Sequence, residues 1–200
     1  MTIVLGLTGG IATGKSTVSQ MFRDYDIPLI DTDLIAKDLL KVGNEGYQEV
    51  TGLFKHDNIL HTNNEINRKR LGRLIFSNPQ KRSKLNDIMH PKVINIVQAE
   101  IEKHKEFGTP VIVVDVPLLF ESGFDKFLDK IIVVYTTEEL QLQRLIERDN
   151  ITEEYALMKI KAQMSMEEKL KKADYVIDNS KSILQTKRDF INVLTELGVK

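Results

Sequence analysis

The chain has 200 residues, 42% hydrophobic and 28% charged, with 28 basic against 29 acidic side chains for a net charge of −1. These fractions sit near the globular average and exclude a disordered or fibrous polymer; the near-zero charge argues against a surface built to coat nucleic acid. With no cysteine there is no disulfide framework, thiolate nucleophile or cysteine-bound zinc, and a reducing compartment is the natural setting.

No basic residue precedes the short apolar run at 3–7, and no segment approaches the roughly 18 apolar residues of a membrane span. A cytoplasmic protein with neither a membrane nor a nucleic-acid partner is predicted; no motif speaks to oligomeric state. Short apolar runs at 3–8, 28–31, 111–116, 130–135 and 175–178 read as strands, two of them almost unbroken in β-branched residues, as in strands buried on both faces. Amphipathic stretches after Lys15, Thr32, Thr137, Thr152 and Lys181 read as helices, and Thr136 with Glu139 forms a capping-box pattern before the third. This alternation predicts an α/β fold with a five-stranded parallel sheet flanked by helices. The stretch 32–110 reads almost wholly helical, with breaks at 43–46, 56–64 and 77–79. A crossover needs only about a dozen residues, so an inserted helical subdomain is expected there.

Gly9-Gly10-Ile11-Ala12-Thr13-Gly14-Lys15-Ser16 fits G-x-x-x-x-G-K-[ST], with an apolar strand before it and an amphipathic helix after. Phosphate oxygens need a concave row of backbone N–H donors, and a helix N-terminus adds its positive dipole end. Lys15 supplies an ammonium for the β- and γ-phosphates and Ser16 a hard oxygen for Mg²⁺. A nucleoside triphosphate is the predicted ligand.

Asp31 and Asp33 follow the second strand, where ligands of doubly wound sheets bind. Asp33 is the candidate general base on an acceptor hydroxyl; the alternative is a helix N-cap shared among Asp31, Thr32 and Asp33. Asp115, ending the third strand before Val116-Pro117, is the candidate metal-side carboxylate, or else a turn-initiating residue. Arg144 and Arg148 share a helix face and could close over a transferring phosphoryl group, or pair with Glu147 and Asp149. Between 67 and 92 the basic residues Arg68, Lys69, Arg70, Arg73, Lys81, Arg82, Lys84 and Lys92 face a single acid, Asp87: a solvated helical surface, or a wall toward a polyanion. Thr186-Lys187-Arg188-Asp189 matches a guanine-reading element but falls inside the C-terminal helix. A small-molecule kinase fits best; a kinase for another alcohol or a nucleoside monophosphate, and a nucleotide-sensing regulator, are the competing readings.

The order of these elements resembles the dephospho-coenzyme A kinase family nearly end to end. The resemblance rests on Gly6-Leu7-Thr8-Gly9-Gly10-Ile11 with Gly14-Lys15-Ser16, and on Asp31-Thr32-Asp33 with Ile35-Ala36. It continues through Asn67-Arg68, His90-Pro91, Asp115-Val116-Pro117-Leu118-Leu119-Phe120-Glu121, Arg144 with Arg148-Asp149, Gln163, and Ala173-Asp174 with Ile177 and Asn179. It implies transfer of the ATP γ-phosphoryl group to the ribose 3′-hydroxyl of dephospho-coenzyme A, with Mg²⁺. It implies a nucleotide core (1–32, 91–136, 173–200), a helical coenzyme A-binding subdomain (33–90) and a helical lid (137–172). Asp33, Lys15 and Arg144 would be catalytic. Gly10, Ile11, Ala12, Thr13, Gly14, Lys15, Ser16, Thr17, Arg144 and Asn179 would bind ATP; Asp33, Arg68, His90, Leu118 and Phe120 the acceptor; Ser16 and Asp115 the metal. Family loops usually carry Gly-Ser where this chain has Ala12-Thr13, and arginine where Lys37 and Lys169 stand.

Overall fold

The computed structural model describes residues 2–199. In chain order the first elements are β1 (Ile3–Gly9), α1 (Lys15–Asp24), β2 (Leu29–Asp31), α2 (Thr32–Leu39), α3 (Glu45–Leu53), α4 (Arg68–Ser77) and α5 (Pro79–Glu106). There follow β3 (Val111–Asp115), a 3-10 turn (Phe124–Phe127), β4 (Lys130–Tyr135) and α6 (Glu138–Asp149). The chain ends with α7 (Glu153–Lys161), α8 (Met166–Lys171), β5 (Tyr175–Asp178) and α9 (Ile183–Glu196). The strands form one five-stranded parallel sheet in the order β2-β3-β1-β4-β5. No helix among the described residues is long and apolar enough to cross a membrane.

The predicted strands appear within a residue of their expected ends, and the differences have local causes. Pro28 has no N–H to donate, so β2 starts one residue later, although the Pro28 carbonyl still accepts from Val113 N at 2.9 Å. The β-branched runs Val111–Val114 and Ile132–Val134 are buried, as central parallel strands require. Thr136 is not the cap of α6. It is fully buried, and Thr137 takes the N-cap position, its hydroxyl accepting from Leu140 N at 3.3 Å. The capping box lies instead at Ser165 and Glu168, at the start of α8.

The described chain divides into two compact units, one of residues up to Asp31 and from Glu100 onward, the other Thr32–Ala99. In the first, Leu5, Leu7, Val113, Ile132 and Val134 of the sheet share a core with Val18 and Phe22 of α1 and Phe190 and Val193 of α9. The Phe190 ring meets those of Phe22 and Tyr25 edge-on at 4.8 and 5.2 Å. The second unit is helical around Val50, Phe54, Ile59, Ile66, Leu71, Leu85 and Met89. Only Asn78 separates α4 from α5: its side chain accepts from Lys81 N at 3.0 Å, and Pro79 stands at the first helical position, where its missing N–H costs nothing. The long helix α5 carries Pro91 in its interior.

Asp149 ties α6 to α7, accepting from Arg148 Nε at 2.8 Å and Lys159 Nζ at 2.9 Å. The Arg148 hydrogen bond first and the Lys159 hydrogen bond second hold its carboxyl down at about 2. Because the folded value lies below the unfolded one, this stabilisation is complete above roughly pH 4 and fades as pH falls toward the folded value. Asp149→Asn is expected to lower the urea midpoint at pH 7, with the deficit shrinking as unfolding is repeated at progressively lower pH.

Candidate active site

The turn between β1 and α1 is held by side chains on the carbonyl side of its peptides. Gly10 O accepts from Thr13 Oγ1 at 2.9 Å, Ile11 O from Gln141 Nε2 at 2.7 Å, and Thr13 O from Asn179 Nδ2 at 2.8 Å. Gly14 adopts a left-handed conformation at φ 86°, and a Cβ there would collide with Asn179 Nδ2, so glycine is required on both counts. Ala12 also sits in the left-handed region at φ 61°, which a side chain tolerates only when its surroundings enforce it. A turn whose carbonyls are engaged by side chains while a helix N-terminus opens at Lys15 is suited to an anion.

Asp115 closes β3, paired in register with Leu7 of β1 and Asp31 of β2, and only 3% of it is exposed. Lys15 Nζ donates to its Oδ1, and the buried Ser19 hydroxyl lies 2.6 Å from its Oδ2. Ser19, one helical turn beyond Lys15, had no motif to mark it. Exposed Ser16, the second residue of α1, is the hydroxyl nearest in sequence to Lys15. No cluster of three or more His, Asp or Glu suited to a metal occurs among the described residues. One hydroxyl and one buried carboxylate fit Mg²⁺, which keeps most of its waters and takes its other ligands from phosphates; they do not fit an ion that needs an all-protein cage.

Arg144, on α6, donates from Nη2 to Asn179 O at 3.0 Å. Its Nη1 is buried without a protein partner and lies 3.9 Å from the position a Gly14 Cβ would take. A buried charged N–H left unsatisfied costs at least about 1–3 kcal/mol, so this is the feature of the turn most in need of an anion. Arg148 instead engages Asp149, the surface pairing weighed for it above. Asn179 is committed within the protein: its amide holds Thr13 O while its Oδ1 accepts from Thr186 Oγ1 at 3.0 Å. Thr186 and Asp189 of the guanine-like tetrapeptide brace the end of β5, Asp189 accepting from Asp178 N at 3.3 Å.

Beyond β3, Leu118 is exposed, and the Phe120 ring is covered by Lys169 and Lys172 at 5.7 and 5.6 Å. Lys169 is wholly buried against Glu121 at 2.7 Å, so it serves as an internal ion-pair partner. In the helical unit, Asp33 stands in the first turn of α2. Arg68 and Lys69 line a cavity of about 810 Å³ with Lys41 and His61. The basic stretch is not one continuous wall. Arg70 caps the carbonyls of Asn58 and Leu60, Lys81 pairs with Asp57, and Lys92 bridges Glu45 and Glu49. His90 is half-buried on α5; burial lowers its pKa, against a smaller opposing effect of Asp87.

Removing the Asn179 amide frees the Thr13 carbonyl to turn inward. Asn179→Ala is therefore expected to weaken ATP binding about tenfold by titration calorimetry, the scale of one buried hydrogen bond. Unchanged affinity would show that Asn179 is not needed to shape the turn.

The family model described as dephospho-CoA kinase matches residues 3–185. The dephospho-CoA kinase of Geobacillus kaustophilus is 44% identical over 196 residues, covering 98% of this chain and 97% of the relative. That of Listeria innocua is 45% identical over 190 residues, covering 95% and 94%. A solved dephospho-CoA kinase from Campylobacter jejuni superposes with TM-score 0.73 at 31% identity, covering 98% of both chains. A Thermus thermophilus structure does so with TM-score 0.83, also at 31% identity, covering 98% of this chain and 97% of that one. A shikimate kinase from Acinetobacter baumannii, 16% identical with TM-score 0.54 over 100% of this chain and 96% of its own, shares the fold alone. The turn, the sheet order and these relatives agree, and the chain belongs to the dephospho-CoA kinase family.

Proposed function

We propose that this chain catalyses its family's reaction, ATP-dependent phosphorylation of dephospho-coenzyme A in the last step of coenzyme A synthesis, through the β1–α1 turn. The observation that carries the assignment to this site is the buried, unpartnered Nη1 of Arg144 beside Gly14. A guanidinium fixed by one nitrogen and open at the other is prepared for the charge that develops on a moving phosphoryl group.

The turn Gly10–Thr17 holds the triphosphate through those backbone N–H groups not engaged inside the protein, Ile11 N being held by Gln163, and Lys15 moves from Asp115 to the β- and γ-phosphate oxygens. Mg²⁺, when bound, would neutralise phosphate charge; Ser16 and Asp115 would hold it, Asp115 through the oxygen that Lys15 leaves. Asp33, directly beyond β2, takes the proton of the ribose 3′-hydroxyl. That oxygen forms its bond to the γ-phosphorus as the bond to the ADP oxygen breaks, with Arg144 and Lys15 stabilising the transferred group.

We assign the coenzyme A arm to the helical unit 33–90 and the role of lid to 137–172. The cavity lined by Arg68 and Lys69 supports the first assignment, since the acceptor carries a pyrophosphate. Leu118 and Phe120 supply apolar surface to the acceptor. His90 meets the acceptor as a neutral hydrogen-bond donor, because its lowered pKa disfavours the imidazolium.

With purified protein, ATP, Mg²⁺ and dephospho-coenzyme A, coenzyme A and ADP are expected in equal amounts. Asp33→Asn should reduce kcat about 10²–10⁴-fold with ATP affinity unchanged, the range of a lost general base. Arg144→Lys should cost about 10²–10³-fold in kcat. Full turnover by Asp33→Asn would remove the base assignment. His90→Ala should raise KM for the acceptor alone, and any rise of the wild-type acceptor KM from His90 protonation should set in at a lower pH than a free imidazole would give.

A further inference from the structure

Two glutamines grip one residue of the phosphate-binding turn from opposite sides of its peptide groups. Gln141 of α6, 2% exposed, donates from Nε2 to Ile11 O at 2.7 Å. Gln163, in the link between α7 and α8, accepts from Ile11 N at 2.8 Å through Oε1. Neither contact is local: they span 130 and 152 residues of sequence. Both glutamines sit beside residues that are themselves fixed. Gln141 precedes Arg144 by one helical turn, so the two share the face of α6 that meets the turn. Gln163 is registered by its neighbours, because Glu121 Oε1 accepts from both Met164 N at 3.0 Å and buried Lys169 Nζ at 2.7 Å. Gly10 completes the fit: a Cβ there would lie 2.5 Å from Gln141 Nε2 and 3.0 Å from Met166 Sδ.

We propose that Gln141 and Gln163 are positioning residues for phosphoryl transfer, a donor and an acceptor that set the orientation of the peptides on both sides of Ile11. They thereby lock the segment 161–169 to the phosphate-binding turn. Residues that orient a peptide act through the polarity of their amides, whereas residues that only fill space act through volume. Glutamate has the shape of glutamine but offers only acceptors when ionised. The two positions should therefore respond oppositely to the same substitution. Gln163→Glu keeps an acceptor facing Ile11 N, while Gln141→Glu turns a carboxylate oxygen against the Ile11 carbonyl.

The inference rests on the reading of the turn as the ATP site, and its test separates the two. In the free protein, hydrogen exchange at the Ile11 amide is expected to be slow in wild type and in Gln163→Glu. It should be at least about tenfold faster in Gln163→Met and Gln141→Glu. In steady-state assays Gln141→Glu should raise KM for ATP about tenfold more than Gln163→Glu, with acceptor KM unchanged in both; the two variants add the same charge, so only the amide polarity separates them. Should Gln141→Glu fail to fold, Gly10→Ala displaces the same carboxamide from the opposite side and should speed Ile11 exchange likewise. Equal behaviour of the two glutamate variants, or Ile11 exchange unchanged in Gln163→Met, overturns the proposal. Failure of the wild type to bind ATP would defeat the reading of the turn while leaving the exchange contrast to judge the clamp.

Discussion

A site for a polyanion built from backbone N–H groups depends on where the carbonyls go. Each peptide is a dipole, and one carbonyl turned inward replaces attraction with repulsion at the place of highest negative charge. Here the carbonyls of Gly10, Ile11 and Thr13 are drawn off by Thr13, Gln141 and Asn179. One partner belongs to the turn itself; the others come from α6 and from the residue after β5. The β1-β4-β5 half of the sheet thus does more than bury apolar surface: the helix after β4 and the residue after β5 deliver groups that hold the turn in shape.

The other half delivers charge. Asp115 reaches the carboxyl edge because β3 pairs with β1 in a register that sets it opposite Leu7. There it is nearly dry, with Lys15 on one oxygen and Ser19 on the other. A buried carboxylate without partners would be costly, and the pairing with Lys15 offsets that cost.

What was legible in the sequence is what is encoded locally. Strand positions followed from β-branched runs, and the turn from a spacing that glycine conformation and helix geometry impose. The cap of α6 was misplaced by one residue because Thr136 and Thr137 are equal as local signals. Burial of Thr136 beside Asn179, a fact of tertiary packing, selects Thr137. Asn179 stood out as a residue but not in its role: its partner Thr13 lies 166 residues away, and no periodicity links them. Ser19 and Gln141 carried no signal at all, since serine and glutamine on amphipathic helices are ordinary. The charge run was misleading in part for the same reason. Its anionic partners Asp57, Glu45 and Glu49 lie outside the run, and the helical packing brings them to Lys81 and Lys92.

Lys169 shows how a basic residue can be committed to the fold and not to a ligand. An arginine fork can hold a carboxylate and still present donors elsewhere; an ammonium fully buried against Glu121 and over the Phe120 ring cannot reach outward. The charge at this position therefore goes wholly into structure, joining the loop after β3 to α8. Other basic groups keep donors directed at the turn. Arg144 is the clearest of these, one nitrogen fixed on Asn179 and the other buried with no protein acceptor. The division of labour follows from hydrogen-bond capacity: a residue whose donors are all satisfied inside the fold stabilises it, and one held by only part of its donors is prepared for a ligand.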